Sequence, residues 1–357
     1  MNILVTGSGG LIGSEACFHW LKSNAKVHGI DNNCRKIFFG NAGDVSRVIE
    51  SLEKYSNYTH HDIDIRDRKA ISDILSLIKP DVIIHCAAQP SHDKAAHIPY
   101  DDFDTNTVGT FNLLESARNH CPKVVFIHVS TNKVYGDRPN MLPLIETHTR
   151  YDYDPINITK CDGVSILGIN ENFSIDQSVH SLFGASKLSA DVIAQEYGRY
   201  FGMCVGIFRG GCLTGPLHAG VELHGFLSYI IKCAISGKHY TIFGYGGKQV
   251  RDQIHCSDVI DAFENFVNDP KKGEVYNIGG GKENAASILE IIDMLKNDHD
   301  LELKYSITNK NRVGDHICYY TDMSKFKSDY SQWLPRWSLK NIITEIIDKQ
   351  TTRDGVH

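Results

Sequence analysis

The opening 23 residues constrain the fold more than any other stretch of the chain. Residues 2–6, NILVT, form a short apolar run of strand length. The run IGSEACFHWLKS, residues 12–23, continues as a helix, with glycine-rich sequence between. Gly7, Gly10 and Gly13 make a G-x-x-G-x-x-G turn there. Glycine lets the backbone approach a bound group closely. The helix N-terminus that follows offers amide N–H groups and a positive dipole end, which suit a pyrophosphate. A tight strand-to-helix turn can need glycine for its own sake, so the surroundings decide. Asp31 closes the next strand, KVHGID. A carboxylate at that point accepts from a ribose 2′-hydroxyl and repels a 2′-phosphate. NAD is therefore expected rather than NADP, a preference softened by Arg35. Leu11 and Ile12 complete the turn, Asn32 adjoins Asp31, and Asp64 with Ile65 follow the third strand in a place suited to an adenine contact.

The alternation persists. Strand-like YTHHDID, DVIIHCAA, KVVFIHVST and MCVGIFRG are interleaved with helix-like KAISDILSLIK, TVGTFNLLESARNH and GASKLSADVIAQEYGRYF. β-branched strands alternating with amphipathic helices predict a Rossmann-type, doubly wound parallel sheet. The pattern loosens after Thr214. The expected division is a dinucleotide-binding domain over residues 1–213, with elements near 252–280 returning to it, and a smaller α/β substrate region over 214–357. Glu146 to Ser181 reads as a long irregular loop, and such loops in compact domains usually serve function.

The formal charge of −6 argues against nucleic acid or an anionic membrane as partner. No apolar run reaches membrane-spanning length. Ten cysteines occur without a Cys-x-x-Cys pair, and 18 histidines show no ligand spacing. Reduced thiols in a cytoplasmic setting, and no metal site, are expected. A strand that starts at residue 2 leaves no room for a signal peptide.

TGSGGLIG, HCAAQ after the fourth strand, NTVGT, VSTNKVYGD, FGASK and RVGD occur in that order. Together they make the chain resemble an extended short-chain dehydrogenase/reductase acting on nucleotide sugars. STNKVYGD, ETHTRY, HSLFGASK and GKQVRDQIH are most similar to the CDP-paratose 2-epimerase (CDP-tyvelose epimerase) group. The resemblance implies a tightly held NAD, a nucleotide diphosphosugar substrate with CDP favoured, and inversion at C2 through a transient keto sugar. A C4 epimerase or other oxidoreductase of another nucleotide sugar is the alternative. It also implies a homodimer through the helices containing DTNTVGTFNLLESA and GASKLSADVIAQEYGRYF.

By the same resemblance, Lys187 binds the nicotinamide ribose and lowers the pKa of a neighbouring phenol. Thr131 bonds the reacting sugar oxygen. Ala87, Ala88, Gln89 and Asn106 line the cofactor. Arg251 and Arg312 lie near the diphosphate, whose oxygens suit the guanidinium fork. Arg150, His224, Lys248 and Gln249 are further substrate candidates, and Arg209 is either a ligand or structural. Related 4,6-dehydratases carry Asp-Glu after the Thr, whereas Asn132 and Lys133 stand here and neither is a carboxylic acid.

One position departs from the pattern. Phe183 stands where the family has the catalytic Tyr. Phe keeps the ring and loses the oxygen that takes the sugar hydroxyl's proton. Low activity is expected, since such groups contribute roughly 10²–10⁴-fold. The exchange fits a substitution made to trap substrate, a natural loss, or transfer of the base role to another group. A catalytically inactive NAD- or nucleotide-sugar-binding protein is the reading that Phe183 alone supports.

Overall fold

The computed structural model describes residues 1–218, 225–311 and 314–354. They form two compact units. One comprises residues 1–134, 182–209 and 259–276, the other residues 135–181, 210–258 and 277–354 as described. The long segment ahead of Leu182 thus clusters with the C-terminal unit, although it lies before residue 214 in the chain.

The first unit is built on β1 (Asn2–Thr6), α1 (Leu11–Lys22), β2 (Lys26–Ile30), β3 (Tyr58–His61), α2 (Arg68–Ile78), β4 (Val82–His85), α3 (Gly109–His120), β5 (Val125–Thr131), α4 (Ser181–Arg199), β6 (Cys204–Gly210), α5 (Cys256–Asn268) and β7 (Lys272–Ile278). The strands form one sheet in the order β7-β6-β5-β4-β1-β2-β3. The pairs from β3 through β5 are parallel, with Val5 opposite Gly29 and Ile84. The order reverses beside β1, and in open α/β sheets ligands bind outside the C-terminal strand ends at such a switch point.

Burial explains the sequence pattern. Ile3, Leu4 and Val5 are fully buried, as a central parallel strand covered on both faces requires. Leu4, Phe126 and Val205 pack with Ile71 and Leu75 of α2 and with Leu113 of α3. Phe208 packs instead on Phe263 and Phe266 of α5 and on Tyr276. Asp67 caps α2 by accepting from the Ala70 N–H at 3.0 Å, and Ile71, Ile74 and Leu75 then fall on one buried stripe.

In the second unit the strand Val250–His255 pairs with Cys212–Thr214, Ala285–Ser287 and Cys318–Tyr319. The helices Phe226–Ser236, Ile288–His299 and Leu339–Asp354 share an aliphatic core of Ile230, Ile291, Leu295, Ile342 and Ile343. Glu146–Ser181 is irregular over most of its length, as expected, but it is not without strands. Tyr151–Tyr153 pairs with Leu144–Glu146 at its start, and Val164–Ser165 pairs with Gly168–Ile169. These pairs are too short to show alternation in sequence. No helix among the described residues is long and apolar enough to cross a membrane.

Candidate active site

The glycine turn has the expected form. Gly7 sits at φ 69°, and a Cβ on Gly13 would lie 2.1 Å from the Gly7 carbonyl oxygen. Neither position accepts a side chain without rebuilding the turn. Gly10 is the N-cap of α1 and supplies no side-chain bond, so the first-turn N–H groups at Leu11, Ile12 and Gly13 carry no side-chain cap. Uncapped amides at the positive end of a twelve-residue helix fit a dinucleotide's pyrophosphate. Asp31 follows β2. Its carboxylate accepts from the Gly9 N–H at 2.9 Å and the Asn33 N–H at 2.8 Å, which ties the turn to the next strand end. Arg35 is electrostatically coupled to Asp31, and burial lowers its pKa. Asn32 accepts from the Cys34 N–H. Asp64 is bonded by Arg66, and Ile65 is buried against Gly109.

β4, β5 and α4 bring the remaining first-unit candidates together. Lys187 donates from Nζ to the Val129 carbonyl at 2.7 Å, two residues before Thr131 on the same strand. Its ammonium is buried, which pushes its pKa down to about 8 against the pull of Asp191, Cys86 and Asp102. Thr131 Oγ1 accepts from the Lys133 N–H at 3.2 Å. Asn132 is buried. Phe183 is buried one turn before Lys187, on the same helix face. No proton-carrying atom therefore stands at the head of this pair.

Asn106, Gln89, Asp102 and Ser186 form a buried polar network. Asn106 accepts from the Gln89 N–H at 2.9 Å and donates to Asp102 at 3.2 Å and Ser186 at 3.0 Å. Ser186 in turn donates to Asp102 at 2.6 Å. The Asn106 amide is thereby committed to protein partners. It sits in a single π-helical turn, Asp104–Val108, a local departure that commonly marks function. Ala87 packs on Gly7, where a Cβ would come within 2.8 Å of its nitrogen, and Ala88 links it to Gln89. Arg209 is buried against Asp191 at 2.9 Å, and Asp191 also accepts from Ser130 at 2.6 Å. That geometry supports the structural of the two readings for Arg209.

Arg251 is buried, bonded to Asp315 and the His316 carbonyl, and donates to the Val250 carbonyl at 2.7 Å. Arg150 donates to the Ala285 carbonyl at 3.3 Å and to Glu290 at 3.4 Å, while its Nε and Nη2 have no hydrogen-bond partner among the described residues. Lys248 donates to Glu146 at 2.8 Å and to the Thr147 carbonyl at 3.0 Å. Gln249 is buried, and its Oε1 has no hydrogen-bond partner among the described residues. His224 and Arg312 lie outside the described residues.

Sequence reasoning missed His92, Asp102 and Ser186. His92 lies three residues beyond Gln89, and its ring packs edge-on against Phe183 with centroids 6.4 Å apart. No local spacing reveals that contact. His19, Asp261 and Glu264 come together with candidate ligand atoms within 4.8 Å, across α1 and α5 and equally without a sequence signal. His19 Nε2 lies 3.2 Å from the Glu264 carboxylate, an ion-pair geometry when the imidazole is protonated.

Comparison with known proteins agrees with this architecture. The family model described as GDP-mannose 4,6 dehydratase matches residues 4–346. CDP-paratose 2-epimerase of Salmonella typhi is 30% identical over 356 residues, covering 98% of both chains. dTDP-glucose 4,6-dehydratase 1 of Escherichia coli (strain K12) is 31% identical over 361 residues, covering 98% of this chain and 92% of that one. The crystal structure of UDP-glucuronic acid 4-epimerase from Bacillus cereus, in complex with UDP-glucuronic acid and NAD, superposes with a TM-score of 0.79 at 27% identity, over 99% of this chain and 100% of that one. With its glycine turn, its Thr131–Lys187 arrangement and its full-length match to that model, the chain belongs to the GDP-mannose 4,6 dehydratase family of extended short-chain dehydrogenases/reductases.

Proposed function

We propose that the chain is an NAD-dependent epimerase that inverts C2 of a CDP-activated deoxyhexose. The observation that carries this reading is the residue pair after Thr131. Asn132 and Lys133 supply no carboxylic acid, so water elimination lacks its proton donor while oxidation and re-reduction of one carbinol do not need it. The near full-length similarity to CDP-paratose 2-epimerase supports the sugar and the carbon. NAD is the cofactor, held by the uncapped α1 amides, Asp31 and Lys187; when bound it accepts and returns a hydride. Lys187 and Thr131 orient the reacting carbinol. Arg150, Arg251 and Lys248, with Gln249, receive the nucleotide diphosphosugar.

Phe183 withholds the phenol, so the chain turns over slowly. Phe183→Tyr raises turnover by at least ~10²-fold, the lower end for a positioned acid–base group. Both forms are to be followed on CDP-, UDP-, dTDP- and GDP-sugars by NMR of the sugar ring, after denaturation of purified protein to release and identify the nucleotide. NADP or an empty site would contradict the role given to Asp31. No conversion of any sugar by either form would favour the second reading, a nucleotide-sugar-binding protein without turnover, which Phe183 supports.

The protein is expected to work in the cytoplasm as a homodimer. Phe111 on α3 and Val192 on α4 are exposed apolar side chains on the two helices that would pair. Sedimentation at micromolar concentration as a monomer would overturn the dimer.

A further inference from the structure

We infer that His92 is the proton acceptor that stands in for the missing phenol at Phe183. The inference rests on the epimerase reading and assigns a residue that the family motifs do not contain. Three observations carry it. First, the His92 imidazole packs edge-on against the Phe183 ring at 6.4 Å between centroids and 64° between planes, so a titratable ring neighbours the one that has lost its oxygen. Second, its Nε2 is buried and has no hydrogen-bond partner among the described residues. A buried ring nitrogen without a partner is costly, because desolvation is uncompensated, and such groups in native structures call for an explanation. A substrate hydroxyl is the partner that would satisfy it. Third, the other ring nitrogen, Nδ1, faces the Asp93 carboxylate at 3.7 Å. That side of the ring therefore faces a protein group, and Nε2 is the nitrogen left for a ligand.

The position is also fixed. His92 opens a short helix, His92–Ala95, capped by Ser91. Gln89 clasps Ser91 through bonds of 2.6 and 2.9 Å and donates to Asp102 at 2.7 Å. Asp102 accepts from Ser186, whose hydroxyl lies 3.1 Å from the Phe183 carbonyl. One buried network therefore holds both His92 and the helix turn that carries Phe183. Preorganisation of this kind distinguishes a working base from a side chain that merely lies nearby.

The step balances without further reagents. The carbinol O–H bond breaks and an Nε2–H bond forms, while the carbon's hydrogen leaves with its electron pair for the oxidised nicotinamide and the carbonyl π bond forms. Return of the same proton and of the hydride to the opposite face completes the inversion and restores neutral His92.

The test is a two-by-two set on the holoprotein, with native Phe183 or Phe183→Tyr combined with native His92 or His92→Asn. The readouts are kcat and KM on the CDP-sugar converted by the Tyr form. In the Phe183 background, His92→Asn lowers kcat on the order of 10-fold or more, short of the roughly 10²–10⁴-fold of an ideally placed group, and leaves KM nearly unchanged. In the Tyr background the same change costs little, which also shows that the variant folds. A reading independent of turnover comes from nitrogen-15 NMR of the His92 ring. Nε2 shifts when the nucleotide sugar is added to the native protein, and the shift disappears with an analogue lacking the reacting hydroxyl. Three results would overturn the assignment: native turnover unaffected by His92→Asn, an equal loss in both backgrounds, or a native chain inert while Phe183→Tyr turns over. In all three the epimerase reading survives. Failure of every form on every nucleotide sugar instead removes the epimerase reading and the role of His92 with it.

Discussion

Arg209 in the first unit and Arg150 in the second are both candidates for a diphosphate, and their surroundings differ. The Arg209 side chain is 5% exposed and faces Asp191, which is fully buried, at 2.9 Å. Arg150 is 21% exposed, with Glu290 at 3.4 Å and Asp152 at 3.8 Å, and two of its nitrogens lack hydrogen-bond partners among the described residues. A guanidinium fork closed on a buried carboxylate holds the fold, because opening it would strand Asp191 without its counter-ion. A fork with nitrogens left over can take a ligand's oxygens at no such cost. Lys187 is a third case. Its buried ammonium meets a carbonyl oxygen and, among the described residues, no carboxylate within bonding distance, so burial shows in its pKa. The lesson is that a cation's role follows from how fully its own unit satisfies it.

The sharpest way to break this contrast is to remove the buried partner. Arg209→Met is expected to lower unfolding stability by roughly 3–5 kcal/mol, since it leaves Asp191 buried and uncompensated. Urea unfolding measures it. The double change Arg209→Met with Asp191→Asn should recover much of the loss. A small effect of Arg209→Met on stability, with a large one on nucleotide-sugar affinity, would reverse the assignment.

Lys187 gives the next largest effect, and its sign is fixed by linkage. Its pKa falls from 10.5 in the unfolded chain to about 8 in the fold. Between those values the unfolded state binds more protons, so native stability rises with pH across that window. Below about pH 8 the buried ammonium costs on the order of 3 kcal/mol, a cost that disappears as pH rises towards 10.5. Without cofactor, the stability of the native protein relative to Lys187→Met should therefore increase by about that amount between pH 8 and 10.5. A flat difference over the same range would mean that the ammonium is not desolvated as its burial implies.

Much of this was legible in the chain, and the parts that were not share a cause. The glycine turn, Asp31 and the strand–helix alternation are local signals, because periodicity and turn chemistry act within a few residues of one another. Lys187 and Phe183 were legible as a pair for the same reason, being one helical turn apart. His92 was not, because it meets Phe183 across about 90 residues of chain, and a single His after Gln89 has no period to betray it. The Asn106–Asp102–Ser186 network is equally non-local, so Asn106 read as a cofactor contact while its amide is held by protein groups. The short strand pairs within residues 144–169 escaped because strands of two or three residues carry too few positions to alternate.

Arg150 carries the smallest of the expected effects and the most selective. Its fold contacts are one carbonyl at 3.3 Å and two carboxylates, none closer than 3.4 Å. Removing it leaves Glu290 in the capping box with Ser287 and leaves Asp152 accepting from the Tyr320 hydroxyl at 2.9 Å, so neither carboxylate is stranded. Stability should change by under ~1 kcal/mol, as for partly exposed pairs. If its two unpartnered, buried nitrogens receive diphosphate oxygens, charge-assisted hydrogen bonds of roughly 1.5–3 kcal/mol each are at stake. Arg150→Met should then weaken binding of the nucleotide diphosphosugar by at least ~10-fold while binding of NAD stays the same. Arg150→Lys should recover only part, since an ammonium keeps the charge and loses the fork. Calorimetric titration of both variants with the nucleoside diphosphate alone separates the diphosphate from the sugar. Unchanged affinity there would place Arg150 with Arg209, as a cation that serves the fold.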